Sequence, residues 1–123
     1  MRYDPTKAPD PSEWLATDEA ERLAAVLRHH KRAQEETSSL RAHAAIHATV
    51  ETQLADGLGP AVRAMERLVE QGLDRHDAVH AIGSVVAAQL YAALQHRAFD
   101  SGEYEARLDA LTAASWRNSA EDT

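Results

Sequence analysis

Leu23, Val26, Leu27 and His30 recur at the three- and four-residue spacing of one helix face, with polar residues between them. This pattern predicts a helix capped by Thr17 and running to about Arg32. Ahead of it, Asp10-Pro11-Ser12-Glu13 reads as an N-cap with proline in the first helical position, which opens a short helix holding Trp14 and Leu15. Beyond Glu35-Glu36-Thr37-Ser38, the positions Leu40, His43, His47, Val50 and Leu54 trace a second seam that ends near Gly57-Leu58-Gly59-Pro60. Pro60 opens a third helix with Val62, Met65, Leu68 and Val69 on one stripe, and Gly72 supplies its left-handed C-cap. Asp74 caps the fourth and longest, whose face carries His76, Val79, His80, Gly83, Val86, Leu90 and Leu94. Ser101-Gly102 breaks that helix, and Tyr104, Leu108, Leu111 and Trp116 form a fifth amphipathic segment.

No stretch alternates in the manner of a strand. The predicted fold is therefore all-α, a compact helical bundle of four main helices plus a shorter C-terminal helix. Residues 11–117 form its single domain, between an extended segment over 1–10 and a polar tail over 118–123. A chain of 123 residues with 44% hydrophobic and 27% charged side chains can bury a core of its own. A net charge of -7 offers no footprint for a phosphate backbone, so nucleic acid is not the expected partner. No run of eighteen apolar residues occurs and no basic segment leads into an apolar one, so no membrane partner is expected and the expected location is cytoplasmic. The absence of cysteine removes thiolate sites and iron–sulfur clusters, which leaves nitrogen and oxygen as the ligands for any metal.

Those nitrogens are abundant. Of seven histidines, four form the pairs His43-Ala-Ala-Ile-His47 and His76-Asp-Ala-Val-His80, each inside a predicted helix. Residues four apart lie about 5 to 6 Å from one another on one face, so both imidazoles of a pair can reach one cation. All four occupy seam positions where the period asks for leucine or valine. A polar group buried there without a partner costs roughly 2 to 7 kcal/mol, and a shared metal ion would satisfy all four. Glu51 extends the first pair by one turn as a further oxygen ligand, with Arg75 or Arg41 as its alternative partner, and His30 adds a fifth imidazole. His29 and His96 are expected to face solvent. Trp14, Trp116 and Tyr91 are expected in the core, and Gly83 at a close packing point. Short connections predict that the two histidine-pair helices run parallel and bring both pairs to one end.

Tyr3-Asp4-Pro5, Glu13-Trp14-Leu15, Glu21-Arg22, the stretch HAAIHATVETQLA from His43 and above all GLDRHDAVHAIGS from Gly72 resemble the bacterial domain-of-unknown-function family 1841. The likeness runs over about residues 3 to 95. It implies helices that carry histidines, and no defined activity or cofactor. Where the family often reads His-Glu-x-x-His, this chain has Asp77, and it has Glu51-Thr52-Gln53 where the family reads Glu-Asn-Gln. His-Glu-x-x-His is the zincin motif, whose glutamate activates water, so Glu51 and Asp77 are the candidate catalytic carboxylates.

The chemistry points to a metal-binding protein whose site comprises His43, His47, His76 and His80, with Glu51 and His30 as additions. Zinc or iron is the expected metal ion. An open coordination position would make it a small metalloenzyme acting on a small-molecule substrate, by metal-assisted hydrolysis or by iron and dioxygen chemistry. The alternative is a noncatalytic structural or protein-interaction module, in which a buried network of histidines and carboxylates holds the helices in register.

Overall fold

Aspartates set where four of the helices begin. A computed structural model describes residues 1–32, 40–96 and 99–121, and their helices are α1 (Pro11–Ala16), α2 (Glu19–Arg32), α3 (Leu40–Ala55), α4 (Gly59–Glu70), α5 (Arg75–His96), α6 (Ser101–Ala110) and α7 (Ala113–Glu121). No strand occurs among the described residues. The carboxylates of Asp10, Asp18, Asp74 and Asp100 accept from the backbone N–H of Glu13, Glu21, Asp77 and Glu103, at 2.9, 2.8, 2.8 and 3.0 Å. Each such cap satisfies a donor that the helix itself leaves open, for about 1 kcal/mol.

Asp18, not Thr17, therefore opens α2. Thr17 instead closes α1, its hydroxyl donating to the Glu13 carbonyl at 2.8 Å. Gly57 (φ 73°) and Gly72 (φ 100°) end α3 and α4 in the left-handed conformation. At each, the next residue bonds back across the last turn, Leu58 to Gln53 at 3.0 Å and Leu73 to Leu68 at 3.1 Å, a Schellman closure. Ser101 and Gly102 belong to the first turn of α6, so the break after α5 precedes them. The fifth segment is two helices, because Thr112 and Ser115 cap one another, each backbone N–H donating to the other's hydroxyl at 3.1 and 3.0 Å. Positions 118–121 of the expected tail continue α7. The Glu35–Ser38 connection lies outside the described residues.

Helices α3 and α5 are central. α2 and α1 pack on α3, α3 packs on α5, and α4 packs on α5 and α6. One apolar interior gathers Val50, Leu68, Leu73, Val79, Ile82, Val86, Tyr104 and Leu108, and a smaller one gathers Tyr3, Trp14, Ala25, Val26 and Ala44. Gly83 is a close packing point as expected, since a Cβ there would lie 2.9 Å from Ile46 Cγ2. By length and composition α5 could cross a membrane, with a mean hydropathy of 1.3 over an 18-residue window within Arg75–Gln95. Here Ala78, Val79, Ala81, Ile82 and Val86 use that composition as packed core.

Its last turns depart from the expected seam. Leu90, Tyr91 and Leu94 are 48%, 67% and 81% exposed, because a helix of 22 residues outruns the 16 of α3 and the 12 of α4. Trp14 is fully buried and Trp116 packs at the edge of the larger core. Trp14 also anchors α1, its indole N–H donating to Thr52 Oγ1 at 3.0 Å.

The segment before α1 carries no helix but is pinned. Arg75 donates to the Pro5 carbonyl at 2.9 Å and Arg32 to the Tyr3 carbonyl at 3.4 Å, which seats the Tyr3 side chain inside the protein.

Candidate metal centre

Three helices bring histidines to one place, α3 and α5 from adjacent turns. α3 supplies His43 and His47 with ring centroids 4.8 Å apart, and α5 supplies His76 and His80 at 4.5 Å, the separations that a four-residue helical spacing sets. Between helices, His43 lies 5.1 Å from His80, and His47 lies 5.7 Å from His76 and 4.7 Å from His80. The two pairs therefore converge. α2 adds His30, which lies 4.7 Å from His43 and 4.8 Å from His47.

The ligand atoms fall into two groups, His30 with His43 and His47, and His47 with His76 and His80. Within each group these atoms all lie within 4.8 Å of one another. His47 is common to both.

The order of the contacts departs from expectation. His43 with His80, His47 with His76 and Glu51 with Arg75 ascend α3 while descending α5, the order of helices that cross in opposite senses rather than run parallel. Short connections fix where consecutive helices meet, but crossing angles set by ridge-into-groove packing decide how their faces align. α4 leans on α5 and α6, which frees α3 to cross α5 directly.

Glu51 is held by other partners. Both its oxygens accept from Arg75, at 2.6 and 2.9 Å, and Oε2 accepts from the Tyr3 hydroxyl at 2.6 Å. Buried in this bidentate pair, Glu51 lies in neither histidine group, so the expectation that it extends the first pair as a ligand is corrected in favour of the arginine alternative. Asp77 is also in neither group, since a neighbouring residue on a helix points about 100° away from His76. Its backbone N–H completes the Asp74 cap.

The hydrogen bonds fix a tautomer. Tyr3 has one proton, and Glu51, paired with a guanidinium, offers only acceptors, so that proton goes to Glu51. His47 Nδ1 lies 3.3 Å from the same hydroxyl oxygen and must then carry the hydrogen that it donates to it. The lone pair of His47 is thereby assigned to Nε2, which is buried and has no hydrogen-bond partner among the described residues. His30 is oriented likewise, since Nδ1 lies 2.8 Å from the Val26 carbonyl, an acceptor that requires a donor. Metal-binding imidazoles are commonly held this way, one nitrogen donating to an outer partner and the other left for the ion.

Electrostatics support the same protonation states. Burial, followed by the nearby rings of His80, His30, His43 and His76, pushes the His47 imidazole down to about 2, so it is neutral across the physiological range. Burial, then the Glu51 charge, holds the Tyr3 hydroxyl far above its ordinary range, and it stays protonated. Burial opposes the Arg75 charge, but Glu51 more than offsets it and the guanidinium is raised.

His29 is not the solvent-facing residue the periodicity implied. Its ring lies 5.4 Å from His30, 6.1 Å from His76 and 5.8 Å from Tyr3, because the segment before α1 folds back over the outer side of α2. The side chain of His96 lies outside the described residues.

Tyr3 was the functional residue that periodicity had no means to find, as it precedes every helix. Its signals in the sequence were the Tyr3-Asp4-Pro5 stretch that carries part of the resemblance and an aromatic residue in a polar segment. No protein-family model matches the chain, and neither do curated proteins or solved structures.

Proposed function

We propose that this protein binds a divalent transition-metal ion, zinc or iron, among the imidazoles of α2, α3 and α5, with His47 as the ligand common to every arrangement. The observation that carries this reading is the His47 ring: one nitrogen tied down by Tyr3, Glu51 and Arg75, the other a buried lone pair with no hydrogen-bond partner among the described residues. A fully buried imidazole nitrogen without a partner is costly, and a metal ion among neighbouring histidines removes the cost.

Three imidazoles on a zinc or iron ion leave coordination positions for water and a small substrate. A metal-dependent enzyme, hydrolytic with zinc or dioxygen-using with iron, follows from that vacancy. Helices α2, α3 and α5 then surround the ion, while α4 and α6 pack against α5 through the apolar interior.

The Glu51–Arg75–Tyr3 network favours one second reading, a noncatalytic module in which the histidines complete a structural network. Elemental analysis of protein purified without an affinity tag separates the two. Zinc or iron near one equivalent per chain is expected, and metal-free protein that neither takes up added ion nor changes its melting curve with a chelator overturns the metal reading.

A further inference from the structure

The outer wall of the histidine cluster is also the inner wall of a cleft. Arg2, Tyr3, Asp4, His29 and Arg32 line an open space of about 300 Å³ on the side where the N-terminal segment crosses α2. Tyr3 donates to Glu51 and sits 6.2 Å, ring to ring, from His47, and His29 lies 5.4 Å from His30 and 6.1 Å from His76. These two rings stand between the cleft and His30, His47 and His76. Two guanidinium groups stand along it, those of Arg2 and Arg32, against one carboxylate, that of Asp4. The Asp4 Oδ1 atom already accepts from the Thr6 backbone N–H at 3.0 Å and from its hydroxyl at 2.6 Å.

The charge count inside the cluster asks for an anion. Imidazole ligands are neutral, so a divalent ion held by them keeps both positive charges. The nearest buried carboxylate, Glu51, is already matched by Arg75. An uncompensated charge in a buried site is expensive, and a ligand bringing negative charge relieves it. We infer that the metal-loaded site takes a small anion as its exogenous ligand, admitted through the cleft between Arg2 and Arg32. This rests on the metal reading above and adds the ligand class to it: a monoanion such as a carboxylate, or an inorganic anion of similar size.

Cobalt(II) as the probe metal and azide as the probe anion test the inference at low ionic strength, read in the visible spectrum of the cobalt-loaded protein. Saturable azide-dependent spectral change is expected in the wild type. The Arg2→Gln variant should bind azide about threefold more weakly with cobalt affinity unchanged, because an exposed guanidinium group contributes modestly to anion attraction. Raising the salt concentration should shrink that difference. Asp4→Asn, which keeps the acceptor for Thr6, should act in the opposite direction and tighten azide about threefold. Cobalt-loaded protein that ignores azide, or equal azide affinity in wild type and Arg2→Gln, overturns the anion site while leaving the metal reading intact. Failure of cobalt to bind at all overturns both.

Discussion

α3 and α5 share an apolar interior with α4 and α6, and on their other side they share with α2 an interior made of imidazole. In the first, Val50, Leu68, Ile82 and Leu108 meet by shape and volume alone. In the second, His30, His43, His47, His76 and His80 meet through nitrogens whose hydrogens and lone pairs must each be directed. An apolar interior is closed by any side chains of the right volume, so its contribution to stability is complete once the chain folds. A polar interior is complete only when each buried donor and acceptor is matched, and in the proposed reading the last match is an ion. One pair of helices thus carries both a self-sufficient core and a conditional one.

The largest effect should come from opening the network that orients the conditional core. Arg75→Met leaves the Glu51 carboxylate, 1% exposed, without its guanidinium. Loss of one member of a buried pair costs about 3 to 5 kcal/mol. Urea denaturation should show that loss, and adding Glu51→Gln should restore much of it; a near-neutral Arg75→Met would mean the carboxylate has another partner. Leu68→Ala in the apolar interior should cost about 3 kcal/mol, as expected for a fully buried leucine in a tight core. The two variants part in their response to metal. Leu68→Ala should keep the wild-type shift in melting temperature on chelation, while Arg75→Met should blunt it.

Chelation alone should be next in size. With free ion at about a hundred times its dissociation constant, binding adds about 2.7 kcal/mol, or about 10 °C in melting temperature for a domain of this length. Added metal should restore the loss. His80→Ala should remove most of the response while leaving the far-ultraviolet helical signal in place, because the apolar interior does not depend on the ion. A variant that loses its helices instead would show that the two interiors are not separable.

The same contrast explains what could be read from the chain. Apolar periodicity found the faces of Leu68, Val79 and Val86, and the aspartate and glycine signals found the ends of most helices, because these rest on local rules. Four clustered histidines were also legible, since they stood where the period required leucine. The partners of Glu51 were half legible: Arg75 stood among its candidate partners, but Tyr3 enters from a segment with no period, and only tertiary packing brings it 48 residues along the chain. His29 was misplaced for the same reason, as the helix face it occupies is covered by that segment. The exposed end of α5 failed differently, because a seam in the sequence does not record how long the neighbouring helices are.

The smallest effect concerns protons, and it tests the conditional core without any metal. In the unfolded chain His47 titrates near 6.5, whereas burial and its four imidazole neighbours push it down to about 2 in the folded protein. Between these values the unfolded state holds a proton that the folded state refuses. Stability from this residue is therefore complete above pH 6.5 and is lost as the pH falls toward 2, by about 1.4 kcal/mol per pH unit. In chelator, moving from pH 7.5 to 5.5 should cost the wild type about 1.4 kcal/mol through His47, since only the last unit lies below 6.5. Leu68→Ala should show the same slope from a lower starting point, and His47→Gln should show a shallower one. With metal present the wild-type loss should steepen, because protons then compete with the ion for the same nitrogens. Identical slopes for wild type and His47→Gln in chelator would mean that the His47 ring already accepts a proton in the folded state, and the buried lone pair assigned to Nε2 would have to be given up.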